Sequence, residues 1–538
     1  TYAGDTNFIT STSAIENHTV NAAATTTTII SDLPDPSVVG QTVSINFSVT
    51  VNAPGSGTPT GTVTVSDGTQ SCSGTVAAGS CSLAFSTAGT KSLTASYVGN
   101  SNFSGSTSTP ATPHTVNKAD TTTTITSDSP DPSLVGQAVT INYHVAVTSP
   151  GSGTPTGSVT VSDGTDSCTG TVAAGNCSIT FTSVGAKTLT ATYPGDANYN
   201  TSSATASHVV RAATTTVITS DLPDPSVVGQ PVTINYSVTM TPPGSDTPTG
   251  NVTVSAGTQN CSGTVAAGSC SITFTSPGTK SLTATYEGDT NFISSTSSPA
   301  TTHAVNKADT TTAITNASAL SMDTVVGQPV TINFSVTVTS PGSGTPTGNV
   351  TVSAGSSSCS STVAAGSCSI TFTTPGTKSL TATYAGDTNF ITSASITENH
   401  TVNAAATTTT ISSDLPDPSV VGQTVTINYS VAVNAPGSGT PTGNVTVSDG
   451  TDDCTGTVAT GSCLITFTTS GTKTLSATYA GNTNFNTSDS ATVSHIVNPA
   501  ATTTVITGDQ PEPSFVGQPV TINYSVTVNA PGGGTLTG

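Results

Sequence analysis

Ten cysteines fall into five pairs with a single spacing: Cys72/Cys81, Cys168/Cys177, Cys261/Cys270, Cys359/Cys368 and Cys454/Cys463. Eight residues intervene in each pair, reading like Ser-Gly-Thr-Val-Ala-Ala-Gly-Ser, two short extended stretches about a Gly-containing turn. A β-hairpin brings facing Cα atoms to about 4.5–5.5 Å, which a disulfide accepts. Zinc is the rival reading. It wants four ligands in short Cys pairs or nearby His, whereas each unit holds two Cys and usually one distant His. A disulfide is therefore expected in each pair, stapling a local hairpin rather than joining two sheets. Closing a loop of about ten residues should stabilise a domain by roughly 2–3 kcal/mol. Five such bonds imply an oxidising compartment, outside the cell or at its surface.

The remaining groups with chemical potential also recur in phase. His18, His114, His208, His303, His400 and His495 each precede a Val by two residues. They are expected to be exposed or to steady the end of a unit, because no local partner marks them as metal ligands. Asp32/Asp35, Asp128/Asp131, Asp221/Asp224 and Asp414/Asp417, with Asp5, Asp196, Asp289 and Asp387, are the acids a calcium site would draw on. Calcium takes six to eight oxygens. One unit replaces the Pro-Asp-Pro turn by Ala-Leu-Ser-Met-Asp, and Asn100 and Asn482 stand where other units have Asp. Turn-forming Asp is the preferred reading; calcium is the ion these acids would suit, and no cofactor is expected.

Lys91, Lys187, Lys280, Lys378 and Lys473 begin one strand and read as snorkelling at the core edge. A Lys–Asn isopeptide bond would need a buried acid in every copy, and Asp67 becomes Ala256 and Ala354. Asn46, Asn102, Asn251 and Asn428 head glycosylation sequons, with Asn46 facing outward if Phe47 faces in. No Ser/His/Asp order, phosphate loop or carboxylate pair stands apart from the repetition, so no catalytic residue and no enzyme is expected.

These groups sit on a repeating framework. Val-Gly-Gln recurs at Val39, Val135, Val228, Val326, Val421 and Val516, and Tyr-x-Gly-(Asp/Asn)-x-Asn-(Phe/Tyr) starts at Tyr2, Tyr97, Tyr193, Tyr286, Tyr384 and Tyr479. A period of about 95 residues is too long for a solenoid unit and long enough for a small domain. In one unit, Thr25–Ile30 is a β-branched strand and Ser31–Ser37 a Pro-rich turn. Thr42–Val51 alternates cleanly, with Val43, Ile45, Phe47, Val49 and Val51 on one face. Thr62–Val65, the cystine hairpin, Lys91–Tyr97 and a last strand within Ser106–Val116 complete about seven strands, the pattern of an immunoglobulin-like sandwich. The net charge of −20, with only eight Lys and Arg, excludes a phosphate-binding stripe and docking on anionic lipid. No apolar run of about 20 residues is present to span a bilayer.

The Tyr97-Val98-Gly99-Asn100-Ser101-Asn102-Phe103 string, Gly-Asp in most other copies, resembles the signature of bacterial immunoglobulin-like repeats, as do the Thr-rich opening and the Pro-Thr-Gly before a Val-x-Val strand. The resemblance covers the whole chain. It implies a long secreted or surface protein and no reaction, since such domains are reused as stalks, adhesin repeats and fibre modules.

The expected organisation is all-β: residues 22–117, 118–210, 211–305, 306–402 and 403–497 as five complete domains, 1–21 as the C-terminal part of a cut domain, and 498–538 as the N-terminal part of another. Joints such as Asn117-Lys118-Ala119-Asp120 are short, so a semi-rigid rod is expected, five domains reaching on the order of 200 Å at ~3.3 Å per strand residue. Thr1 and Gly538 fall inside repeats, so the chain is expected to be a window on a longer polypeptide. Its partners would be the remainder of that chain or head-to-tail copies. The expected role is a structural segment of an extracellular fibre, filament or stalk. The alternative is a multivalent adhesin array binding carbohydrate, ice or a host protein through exposed strands.

Overall fold

Apolar residues at every second position give a strand one buried face, and a chain built of such strands must stack two sheets to hide them. The computed structural model describes residues 1–538. In the first complete domain the strands are β1 (Thr25–Leu33), β2 (Ser37–Val38), β3 (Thr42–Val51), β4 (Thr62–Ser66), β5 (Ser71–Thr75), β6 (Ser80–Ala84), β7 (Gly89–Gly99), β8 (Ser104–Thr107) and β9 (Thr112–Asn117). One sheet has the order β1-β3-β6; the other runs β2-β9-β7-β4-β5, with β8 also on β7. All pairings are antiparallel except β2 with β9. Val43, Ile45 and Phe47 of β3 face Val63, Val65, Leu93 and Tyr97 of the second sheet in a closed core. The arrangement recurs in every unit: the chain is a tandem array of immunoglobulin-like sandwiches.

Three local readings are corrected. First, β1 runs on through Ser31–Leu33, which the two following prolines marked as turn. A bulge at Ile30 shifts the register from Ile29↔Phe47 to Ser31↔Asn46 and Asp32↔Ile45. The extra residue reverses the parity of the strand, so Asp32 points inward and is 9% exposed. Second, Ser106–Val116 splits into β8 and β9 around Thr109-Pro110, and the fourth and fifth domains split likewise without a proline there, as Ser393–Ala394 and Glu398–Asn403, and Ser488–Asp489 and Val493–Asn498. The second domain, whose segment from Tyr193 to His208 is the shortest of the five, carries one unbroken strand, Ser202–Arg211.

Third, the two cysteines of a pair do not lie in one hairpin ladder. Cys72 of β5 is opposite Val65 of β4, and Cys81 of β6 is opposite Ile45 of β3. The same correction holds in the other four domains. Cys168, Cys261, Cys359 and Cys454 stand opposite Val161, Val254, Val352 and Val447 of one sheet. Their partners Cys177, Cys270, Cys368 and Cys463 stand opposite Ile141, Ile234, Ile332 and Ile427 of the other. The turn between each two cysteine strands therefore crosses from one sheet to the other, and the disulfide joins the sheets at their open side instead of stapling a local hairpin. All five bonds are formed, Cys72–Cys81, Cys168–Cys177, Cys261–Cys270, Cys359–Cys368 and Cys454–Cys463, with Cα–Cα distances of 5.8–5.9 Å. The second cysteine packs toward the core: Cys81, Cys177 and Cys463 are buried, and Cys270 and Cys368 are half-buried against it.

On the opposite side, hydroxyls perform the closure. Ser106 Oγ of β8 lies 2.8 Å from Thr25 Oγ1 and 2.7 Å from Thr27 Oγ1 of β1. The same triplet recurs around Ser202, Ser295, Ser393 and Ser488.

The fourth domain departs from the others before its Val-Gly-Gln. There a short helix, α1 (Ala317–Leu320), replaces the Pro-Asp-Pro turn. At the chain's ends, residues 1–21 carry a Tyr2–Ser11 bridge, and Thr502–Gln510 pairs with Thr521–Val528 in a two-stranded sheet.

Because each disulfide ties the two sheets, Cys72→Ser with Cys81→Ser should cost the first domain roughly 2–3 kcal/mol. Thermal or urea unfolding of the oxidised and reduced chain measures this. Unchanged stability would mean that the sheets are held adequately without the bond.

Candidate functional site: a buried Asp–His–Ser cluster and the domain joints

His114, expected to be exposed or to steady a unit's end, is fully buried. It stands on β9 opposite Lys91 of β7 and stacks on Phe85 with ring centroids 5.0 Å apart. Its Nδ1 is 2.9 Å from Asp32 Oδ2 and 3.5 Å from Asp35 Oδ1, and its Nε2 is 2.8 Å from Ser37 Oγ. A carboxylate only accepts, so Nδ1–H donates to Asp32, and Nε2 shares a hydrogen bond with the Ser37 hydroxyl. Asp35 also accepts the Thr115 N–H at 3.0 Å. The second, third and fifth domains repeat the cluster with His208, His303 and His495. In the fourth, His400 Nδ1 meets the Leu320 carbonyl at 2.8 Å and Nε2 meets Thr324 Oγ1 at 2.7 Å.

The residue types are those of a hydrolytic triad, but the accessibility is not. Ser37 is 0% exposed and lies beneath the imidazole, so no substrate reaches it. The cluster instead ties β1, β2 and β9 together at one end of the sandwich. The sequence carried one unused signal: Ser37, Ser133, Ser226, Thr324 and Ser419 stand two residues before the motif valine in every complete unit.

Val-Gly-Gln is the domain's docking element. Val39 is buried in the core, Gly40 turns at φ +78°, and the Gln41 side chain accepts the Val38 N–H at 3.0 Å. The left-handed turn presents two carbonyls to the next domain. Ser152 N–H donates to Val39 O at 3.2 Å and Ser152 Oγ to Gly40 O at 2.8 Å. A Cβ at Gly40 would collide with the Ser152 backbone. Ser343 and Ser438 repeat both bonds at the third and fourth joints, and Gly533 N–H reaches Val421 O at 3.0 Å. At the second joint Pro243 faces Gly136. Proline has no N–H or hydroxyl to offer, and the Val210-Arg211-Ala212 link is one residue shorter than the others.

The Tyr-x-Gly-(Asp/Asn) string forms the other face of each joint. Asn100 Oδ1 accepts the N–H groups of Asn102 and Phe103 at 2.8 and 3.1 Å. Ala23, the joint residue, is held by Asn102 O and Ser104 N–H. Where the residue is Asp, its second oxygen takes the Pro-Thr-Gly loop: Asp196 Oδ2 accepts Thr156 N–H at 2.9 Å and its hydroxyl at 2.7 Å. Burial opposes ionisation of Asp196, but these bonds and the Asn198 N–H outweigh it and hold the carboxyl at about 2. Burial, then the neighbouring Asp196 carboxylate, pushes Tyr193 up to about 12. Asp5, Asp289 and Asp387 likewise cap their own turns. None of them belongs to a group of three or more His, Cys, Asp or Glu ligand atoms.

Lys187 and Lys473 pair with Asp163 and Asp449 at 3.5 and 3.2 Å. Lys280 and Lys378, in the domains that carry Ala256 and Ala354, lie over Phe274 and Phe372, and Lys473 lies over Phe467 as well as pairing with Asp449. Among the sequons, Asn46 and Asn428 are half-buried rather than freely outward, with their amides bound to Ser31 and Ser413 at 2.8 and 2.7 Å. Asn102 and Asn251 are exposed.

A family model described as bacterial Ig-like domain (group 3) matches residues 30–117, 125–211, 219–306, 315–403 and 412–498. No curated protein matches the chain. Similar solved structures include the fibronectin(III)-like modules of Clostridium thermocellum CbhA: 18% identity, 34% of this chain and 93% of that one, TM-score 0.15. Another comprises three N-terminal domains of the bacteriophage RB49 highly immunogenic outer capsid protein: 14% identity, 52% and 99% coverage, TM-score 0.25. At these scores neither carries an argument about this chain.

His114→Leu leaves Asp32 and Ser37 buried without their partner and should cost about 3 kcal/mol. Deuterium exchange in β9 and the end of β1 should then quicken roughly hundredfold in the first domain alone; unchanged protection would mean that the cluster adds nothing.

The turn acids give a pH signature. Asp196 has a folded pKa below the unfolded value of about 3.9, so its contribution is full above about pH 4 and is lost as pH falls toward 2. Tyr193 holds its proton, so its contribution is lost as pH rises from about 10 toward 12. Amide NMR should show the Thr156 N–H releasing on the acid side, with no such step at Thr60 or Thr442, whose turns carry Asn100 and Asn482.

Proposed function

The chain belongs to the bacterial Ig-like domain family of group 3, and from that premise we propose that it is a structural segment of a long extracellular fibre, filament or surface stalk. The observation that carries this reading is the joint. Val-Gly of one domain receives the hydrogen-bonding loop of the next at four of the five contacts, Gly533 making the last of them. A chain under tension needs units that resist opening and links that do not add slack. Each domain supplies a disulfide across its sheets, a hydroxyl closure on the other side and a buried cluster at one end. Immunoglobulin-like repeats are generally non-catalytic, and no helix is long and apolar enough to cross a membrane. The disulfides fit an extracellular setting.

A second reading, the adhesin array, draws on one feature. Across four strands of the first domain Ser73, Thr64, Ser96 and Thr107 stand in register, with Thr64–Ser73 and Ser96–Thr107 hydroxyl contacts at 2.9 and 3.2 Å. Such a charge-poor, hydroxyl-lined face suits a neutral glycan or ice. Retention of the intact chain on either surface would favour that role.

Force spectroscopy tests the structural reading. Pulling the oxidised chain should give five similar unfolding steps. Reduction should lengthen each by about 25 Å, since nine residues at ~3.3–3.6 Å each replace the 5.8 Å span of the bonded Cα pair. Gradual extension without discrete steps would contradict a load-bearing role.

A further inference from the structure

The Asp–His–Asp side of the cluster has the composition of a metal site, and the sequence had set His aside as a ligand for want of a local partner. The bulge at Ile30 supplies that partner by turning Asp32 inward, and the Pro-flanked turn brings Asp35 beside it. We propose that Asp32 Oδ2, Asp35 Oδ1 and His114 Nδ1, with their counterparts around His208, His303 and His495, bind one divalent ion of the zinc class per domain.

Three observations carry this. The three ligand atoms of each group lie within 4.8 Å of one another. Nδ1 stands 2.8–3.0 Å from one carboxylate oxygen and 3.4–3.5 Å from the other. Ligands about 2.0–2.2 Å from a tetrahedral zinc are spaced about 3.3–3.6 Å apart, so the longer Nδ1 spacing already fits, the shorter must open by roughly half an ångström, and the two carboxylate oxygens, within 4.8 Å, close onto the ion.

The second observation is outer support. The far nitrogen of a metal-bound His characteristically donates to a fixed acceptor, and Nε2 already sits 2.8 Å from the buried Ser37 Oγ. An ion takes the place of the Nδ1 proton, and Nε2–H then donates to Ser37. The third is access: the His114 side chain is enclosed, but Asp35 is 35% exposed, leaving an open side for the ion and a water ligand. An imidazole nitrogen with only two carboxylates selects zinc-class ions over calcium, which takes six to eight oxygens.

The chain carries its own control. In the fourth domain Leu320 O replaces the inward carboxylate, and Asp323 pairs with Asn403. A zinc titration of the intact oxidised chain should therefore find four strong sites. Asp35→Asn should reduce them to three, and the same change at Asp131, Asp224 and Asp417 as well should abolish them. These partly exposed side chains are replaced by an isosteric amide, and circular dichroism checks that the sheets persist. In ¹⁵N-histidine spectra, zinc should convert His114, His208, His303 and His495 from the Nδ1–H to the Nε2–H tautomer and leave His400 unchanged. Absence of strong binding, a stoichiometry unaffected by the Asp→Asn changes, or retained tautomers would each overturn the proposal.

Discussion

Each domain depends on keeping two sheets face to face with a modest apolar inventory. Only 33% of the chain is hydrophobic and it contains no Trp. The inner faces are filled mainly by Val, Ile, Leu and Ala, with Phe47, Phe85, Tyr97 and Phe103 as the bulkiest residues of the first domain. A sandwich of this kind is weakest where its sheets part at the sides and ends, because a small core leaves little surplus stability. The polar chemistry gathers at those margins. The cystine crosses one open side, the Thr25–Ser106–Thr27 hydroxyls close the other, and Asp32, His114 and Ser37 fasten an end. The groups that first read as candidates for reaction chemistry thus serve as closures.

The same economy governs the joints. Gly40 adopts a positive φ that exposes the Val39 and Gly40 carbonyls, and Ser152 supplies both donors in one short loop. The second joint shows how little sequence change alters this contact. Pro243 stands against Gly136 without a donor, and the link loses one residue. The fourth domain offers a parallel case inside a unit: losing Pro-Asp-Pro brings in a short helix, and a backbone carbonyl takes over from Asp as the partner of His400. The imidazole keeps two hydrogen bonds in either arrangement, as a buried polar ring must.

Much of the fold was legible because its signal is local. Alternation in Thr42–Val51, Gly and Pro between strands and the constant cysteine spacing all act over about ten residues. What escaped depends on partners far along the chain or on parity. Asp32 is 82 residues from His114, and an Ile30 bulge that no residue type announces turns it inward. The cysteine spacing identifies the pair but not the sheets on which its members lie, since a hairpin and a sheet-crossing turn have the same length. Only the pairing of Cys81, Cys177, Cys270, Cys368 and Cys463 with the isoleucines of the other sheet distinguishes the two. Val-Gly-Gln was conspicuous as a repeat, yet its role lies 112 residues away, in Ser152 of the next domain.

If the joints hold as described, the array is stiff and its length is the sum of its domains. Small-angle X-ray scattering of the oxidised chain measures this directly. Five sandwiches end to end span on the order of 200 Å, which for a thin rod is a radius of gyration of roughly 55–60 Å. A globule of the same chain length would give about 24 Å. The account predicts the rod value, with a cross-section one domain wide; a value near that of the globule, with domains folded back on one another, would contradict it.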